Sequence, residues 1–199
     1  IHYDTFGIAA PDNEPAAIEA ALARLAAAPA PRDHAVAYGV GGSPSELFVI
    51  DLETGAELWR TAATPRSWPH LAGNVIVTHE GGRIVGRDVR TGAQRFAFDD
   101  GGMWLVGAAG EGDLGAFTLS TSAGAGAHSE LVIMQGTDIA RRMRADHAMG
   151  TPEVAGGMVL VPWGSQYLSF VDPLTTTELA RVRVRGSVLG HAFAKGGHV

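Results

Sequence analysis

Eight histidines, 21 acidic residues and no cysteine set the range of chemistry open to this 199-residue chain. The missing thiols remove disulfide frameworks, thiolate metal sites, thiol nucleophiles and c-type haem attachment together. The histidines, among them His70, His79, His147, His191 and His198, are natural metal ligands. None shows the His-x-x-x-His or His-Glu-x-x-His spacing that sets two imidazoles on one helix face. His79-Glu80 comes closest, and Gly81-Gly82-Arg83 follows where the second histidine is needed. His70 and His191 each stand near the opening of a repeat, and both are expected to be loop or strand-end residues without metal. Asp99-Asp100-Gly101-Gly102 and Glu111-Gly112-Asp113 offer hard oxygen ligands without the alternating acids of a calcium loop, and both are expected to be solvated turns. Trp163-Gly164-Ser165-Gln166 lacks the Gly-x-Ser-x-Gly elbow of a serine hydrolase. Gly124 to Ala127 lacks the Gly-Lys-Ser/Thr ending of a phosphate-cradling loop.

One charged pattern remains. Arg181, Arg183 and Arg185 alternate with Val182 and Val184, and Arg142 and Arg144 occupy the matching strand one repeat earlier. Period two puts such residues on one face of a strand, so a ladder of guanidinium groups on an outer wall is expected. The bland role is a solubilising face that blocks edge pairing. The sharper role is an acidic partner surface or lipid headgroups, since guanidinium forks match carboxylate and phosphate.

The elements that hold these side chains are legible from residues 46 to 60, Glu-Leu-Phe-Val-Ile-Asp-Leu-Glu-Thr-Gly-Ala-Glu-Leu-Trp-Arg. An apolar run ends at Asp51, Gly55 can take the positive φ that closes a short loop, and a second strand carries Trp59. A single hairpin is marginal in water, so this one must stack on something. Copies follow. Asp88, Thr91, Gly92 and Phe96 repeat Asp51, Thr54, Gly55 and Trp59; Asp172 and Thr175 repeat the aspartate and threonine. A weaker copy places Gln135 at the aspartate position and Met143 at that of Trp59. Spacings of about 40 residues between short strands and turns are those of a blade array. Trp59, Phe96 and Met143 are expected to fill the gaps between blades, each contributing roughly 1.5 to 3 kcal/mol of burial.

The Asp-x-x-Thr-Gly-x-x-x-Trp pattern at 51 to 59, echoed at 88 to 96, resembles the repeat of pyrroloquinoline quinone (PQQ)-like β-propellers. That family includes quinoprotein dehydrogenases and cofactor-free, BamB-like outer-membrane assembly lipoproteins. The resemblance spans residues 33 to 199 and implies an all-β propeller with four-stranded blades. Ile139 and Thr176 stand where the motif has glycine, so those two turns are expected to differ in shape. The quinoprotein branch holds its cofactor on the axis with Ca²⁺ and an acidic base, often beside paired cysteines. No residue here maps onto those ligands, and no cofactor is expected.

Residues 1 to 32 form an extension with an alanine-rich helix over about 14 to 28, Asp12 or Asn13 as its cap and Pro15 in its first turn. Ile18, Leu22 and Leu25 give it a narrow apolar stripe, and Pro29 and Pro31 stop it. Residues 33 to 199 then give about four blades and the opening of a fifth, with the first blade's innermost strand not evident. Either the chain is the front of a larger ring, the favoured account, or its tail supplies that missing strand and closes four blades.

A net charge of −6 argues against a generic nucleic-acid surface. No apolar run reaches the ~18 residues of a membrane helix. Starting at Ile1 is read as the mark of a processed or trimmed chain, which leaves room for a removed export signal or lipid anchor. The resulting expectation is a non-catalytic scaffold in an envelope-associated assembly, periplasmic or outer-membrane-associated, with other protein subunits as partners. A quinoprotein-type or ligand-binding propeller using the axial funnel is the alternative, and a sensor domain of a longer signalling protein is a third.

Overall fold

Asp51 shapes the first hairpin turn: its Oδ1 accepts the N–H groups of Glu53 and Thr54, both at 2.9 Å, while Gly55 N donates to the Asp51 carbonyl at 2.8 Å. Asp88 repeats this with Arg90 and Thr91, and Asp172 with Leu174 and Thr175. Gly55 and Gly92 take φ of 71°, the left-handed region the loop requires. In the computed structural model, which describes residues 4–5, 11–28, 36–121, 126–186 and 190–194, Thr176 keeps the same turn by adopting φ 60° itself. The expectation of a different shape at Thr176 is therefore corrected: three backbone hydrogen bonds to Asp172 outweigh the strain of a β-branched residue there. At Ile139 the expectation holds, because Gln135 pairs with Asp138 and only Gly136 and Thr137 close the loop.

The strands are β1 (Asp4–Thr5), β2 (Val36–Gly41), β3 (Glu46–Asp51), β4 (Glu57–Ala62), β5 (His70–Ala72), β6 (Val75–Glu80), β7 (Arg83–Asp88), β8 (Gln94–Asp99), β9 (Trp104–Glu111), β10 (Leu114–Ser120), β11 (Ser129–Gln135), β12 (Asp138–Ala145), β13 (Glu153–Ala155), β14 (Met158–Trp163), β15 (Tyr167–Val171) and β16 (Glu178–Arg183). They form four antiparallel meanders: β2-β3-β4, β5-β6-β7-β8, β9-β10-β11-β12 and β13-β14-β15-β16. We refer to these as blades 1 to 4. Each carries a bulge in its outermost pairing near the turn, which sharpens the local twist. Blade 1 has three strands among the described residues. β1 adds to the outer edge of blade 3, parallel to β12.

Apolar layers lie between successive sheets, as the alternation of side chains requires. Leu47, Val49, Ile76 and Val89 join blades 1 and 2; Val77, Phe117, Val132 and Met134 join blades 2 and 3; Leu131, Met143, Val159 and Val161 join blades 3 and 4. Trp59 reaches across the first gap: its Nε1 donates to Val89 O at 2.9 Å, and its ring covers Gly92, where a Cβ would lie 2.7 Å from the indole. Phe96 lies flat on Gly86 and stacks towards Phe117 of blade 3. Met143 is buried in the third layer. All three stand between blades.

Helix α1 (Pro15–Ala27) covers the far face of blade 4, burying Ala21 and Leu25 against Met158, Leu160, Phe170 and Ala180. Its N-terminus lacks a side-chain cap, which corrects the expected role of Asp12 and Asn13. Both are spent on β16 instead: Asn13 Oδ1 accepts Arg183 N at 3.0 Å, and Asp12 pairs with Arg181 at 3.4 Å. Beside the inner strand of blade 4, Thr151 N donates to Gly190 O and Ala192 N to Thr151 O, so residues 190 to 192 run where a further inner strand would start. Residues 188–189 and 195–199 of the expected fifth unit, and residues 29–35 ahead of β2, lie outside the described residues.

Candidate interaction rim

Strand register sorts every turn to one of two rims. Pairings of Gly41 with Glu46, Glu80 with Arg83, Ser120 with Ser129 and Trp163 with Tyr167 put those hairpin ends on one rim, along with the linkers between blades. The Asp51, Asp88 and Asp172 turns occupy the other. The first rim carries Trp68 at 64% exposure and Trp104 at 52%; the turn rim carries Leu52 and Leu174, and the exposed Phe193 lies alongside the inner strand of blade 4. Both exposed tryptophans of the described residues thus share one rim.

Beneath Trp104 sits a buried polar pair. His79, at the end of β6, is held through its carbonyl by Arg66 N at 2.7 Å, and its Nε2 lies 2.6 Å from Asp100 Oδ2. Asp100 Oδ1 accepts Gly102 N at 2.8 Å. Partial burial opposes ionisation of Asp100, but that N–H, the His79 ring and the Arg66 charge together hold its pKa below the usual carboxylate range. Trp104 packs edge-on against the imidazole at 5.4 Å. His79 Nδ1 is buried and has no hydrogen-bond partner among the described residues. Asp100 is therefore a structural anchor of the linker rather than the solvated turn expected from its sequence.

Next to this pair an open cleft of about 350 Å³ separates Gly101 and Met103 from His128, Glu130, Arg144 and Asp146. Glu130 is buried and answered by two cations: Arg142, whose Nε is 3.0 Å away, and Arg144, whose Nε is 2.8 Å away. The Arg142 guanidinium also lies over the Phe98 ring at 4.1 Å. These contacts redraw the arginine ladder. Arg142 is buried, and Arg181 is drawn inward by Glu178 at 2.6 Å and stacks over Trp163. Pairing first with Glu178 and then with Asp12 raises the pKa of Arg181 further. Arg183 lies over Tyr167, and Arg185 is exposed beyond the end of β16. The five arginines do not form one open face, because carboxylates and aromatic rings inside the blades hold two of them.

His70 belongs to the inner strand of blade 2, where burial pushes its pKa down, and His191 bridges to Thr151 beside blade 4. Among the described residues no three His, Asp or Glu side chains gather as a metal site requires. What the rim presents is aromatic surface over a rigid polar base, together with a cleft whose buried carboxylate is already neutralised. Sequence reasoning passed over Trp68 and Trp104. The available signal was two tryptophans outside the repeat's packing positions, each in or beside a linker between blades.

The fold class is the β-propeller. Solved structures with the same architecture include the β-propeller domain of Cps50 (Swd1) from Myceliophteria thermophila, 13% identical with a TM-score of 0.50 over 85% of this chain and 60% of that one. Hsv2 from Kluyveromyces lactis is 12% identical with a TM-score of 0.52 over 79% of this chain and 50% of that one. BamB from Moraxella catarrhalis is 16% identical with a TM-score of 0.45 over 75% of this chain and 50% of that one. The chain thus spans half to three fifths of the length of these structures. No protein-family model matches the sequence, and no curated protein matches it.

Proposed function

We propose that this chain is a non-catalytic propeller scaffold that holds a partner protein through the rim bearing Trp68 and Trp104. The observation that carries the reading is that both exposed tryptophans, Trp68 and Trp104, stand on that rim. Tryptophan is the residue type most enriched among binding hot spots, because it offers a large rigid surface at low entropic cost. The buried His79–Asp100 pair fixes the linker ahead of Trp104, so the ring is presented already ordered. The resemblance of the Asp51 and Asp88 turns to PQQ-like repeats supports a finer reading: a BamB-like, cofactor-free subunit of an envelope assembly, periplasmic or tethered to the outer membrane through a lipid anchor. The buried carboxylate of Glu130 beside the cleft is paired with two arginines, which does not favour a role as the acidic base of a redox site.

The test uses photo-crosslinking residues at positions 68 and 104 in the native host, with position 174 on the opposite rim as the control. Discrete adducts are expected from position 68, weakened when Trp104→Ala is added, and from position 104, weakened when Trp68→Ala is added. Adducts only from the control position would reject the rim assignment, and stoichiometric PQQ binding with Ca²⁺ would overturn the non-catalytic reading.

A further inference from the structure

Blades 1 and 2 build the same turn twice, and only one of the two is covered. Asp51 accepts the N–H groups of Glu53 and Thr54 at 2.9 Å, and Asp88 those of Arg90 and Thr91 at 2.9 Å. Gly55 and Gly92 both take φ of 71°, and the N–H after each bonds the turn threonine at 3.3 Å. At the second turn the Trp59 indole lies on Gly92 and donates to Val89 O, and Val89 is 1% exposed. At the first, a Cβ on Gly55 would meet nothing within 4 Å, and Leu52, at Val89's place in the repeat, is 62% exposed. No hydrogen bond from a described residue reaches Leu52 O.

The seat recurs at another seam. Strand register makes Arg141, rather than Met143, the counterpart of Trp59: Ile133–Arg141 is the last pair before the bulge of blade 3, as Val49–Trp59 is in blade 1. Arg141 Nη2 donates to Leu174 O in the turn of blade 4 at 3.4 Å. An N–H donor on one outer strand thus closes onto a turn carbonyl of the next blade at two seams. Glycine separates the two kinds of donor, since the seam closed by the indole has Gly92 and the seam closed by the guanidinium has Thr176. Around Gly55 the sheet is apolar as well. Phe48 and Ile50 alternate with Leu47 and Val49, so they face away from blade 2. At the positions of Phe48 and Leu52, blade 2 has Val85 and Val89, both buried beneath blade 1.

We propose that the Asp51–Gly55 turn and the Phe48–Ile50 face dock the outer strand of a blade from a partner protein, one carrying a tryptophan whose ring covers Gly55 and whose N–H bonds Leu52 O. A second copy of this chain does not supply that side chain. Blade 4, at the other end of the array, has Ala180 at the register of Trp59 and α1 across its far face. The proposal is independent of the rim bearing Trp68 and Trp104, because Leu52 belongs to the opposite one.

Nitrogen–proton correlation spectra of the full chain, titrated with a peptide of the sequence of residues 56–62, test this. The N–H signals of Thr54, Gly55 and Ala56 are expected to shift saturably under the ring current of the docked indole, while Gly92, already covered by Trp59, stays unmoved. A peptide with 1-methyltryptophan keeps the ring and loses the N–H, and it is expected to bind about 5-fold more weakly, the worth of one net hydrogen bond. Gly55→Ala sets a methyl group where the ring lies and is expected to abolish the shifts; the methylated peptide decides the matter if that variant disturbs the turn. Shifts absent at residues 54 to 56, or equal affinity for the two peptides, would overturn the proposal. So would a dimer in sedimentation that Leu52→Asp dissolves, which assigns the face to a second copy.

Discussion

Glu153 illustrates how one carboxyl records its surroundings. It sits on the inner strand of blade 4, and burial raises its pKa; the N–H groups of Val154 and Ala194 act against the shift, and the Glu111 charge adds to it. A carboxyl whose folded pKa is raised contributes most at low pH and loses that contribution as pH climbs from its unfolded value, near ~4.3, through the folded one. Glu153→Gln is therefore expected to raise the melting temperature at pH 7, with the gain vanishing near pH 3, where the carboxyl is protonated in both states. Thermal denaturation of the two proteins across that range checks it. Nothing in the local sequence distinguishes Glu153, since its neighbours Glu111 and Ala194 are brought to it only by the packing of inner strands.

At the scale of the element, blade 3 shows why a period-two pattern is an incomplete guide to exposure. Arg142 and Arg144 sit on the same face of β12, yet one is buried between Glu130 and the Phe98 ring and the other is exposed. Removing the buried partner leaves a carboxylate without its main counter-charge in a dry site, whereas the exposed pair is screened by solvent. Arg142→Ala is expected to cost about 3 kcal/mol by urea denaturation, and Arg144→Ala under about 1 kcal/mol. Equal costs would mean that the Glu130 site is wet. Register and turn chemistry were legible here; depth was not, because it depends on Phe98 arriving from blade 2.

At the scale of the whole molecule, the inner strands of neighbouring blades approach so closely at Gly107 and Gly110 that no Cβ fits there. A Cβ on Gly110 would lie 2.0 Å from Gly73 N, and one on Gly107 would meet Thr151 at 2.5 Å. Gly110→Ala must push blades 2 and 3 apart along the axis, and it is expected to cost about 3 kcal/mol, the upper end for overpacking, because backbone cannot yield as a side chain can. A urea midpoint unchanged by that substitution would show that the inner strands are further apart than described. The sequence by itself determined the blades: Asp51, Gly55 and Trp59, with their copies, encode turn and packing locally, through hydrogen bonds two and three residues apart and side chains of period two. Tertiary structure alone decided what covers each face. Which arginines are buried, how His79 meets Asp100 across 21 residues, and that a helix takes the place beside blade 4 all depend on contacts between segments far apart in the chain, which no local pattern specifies.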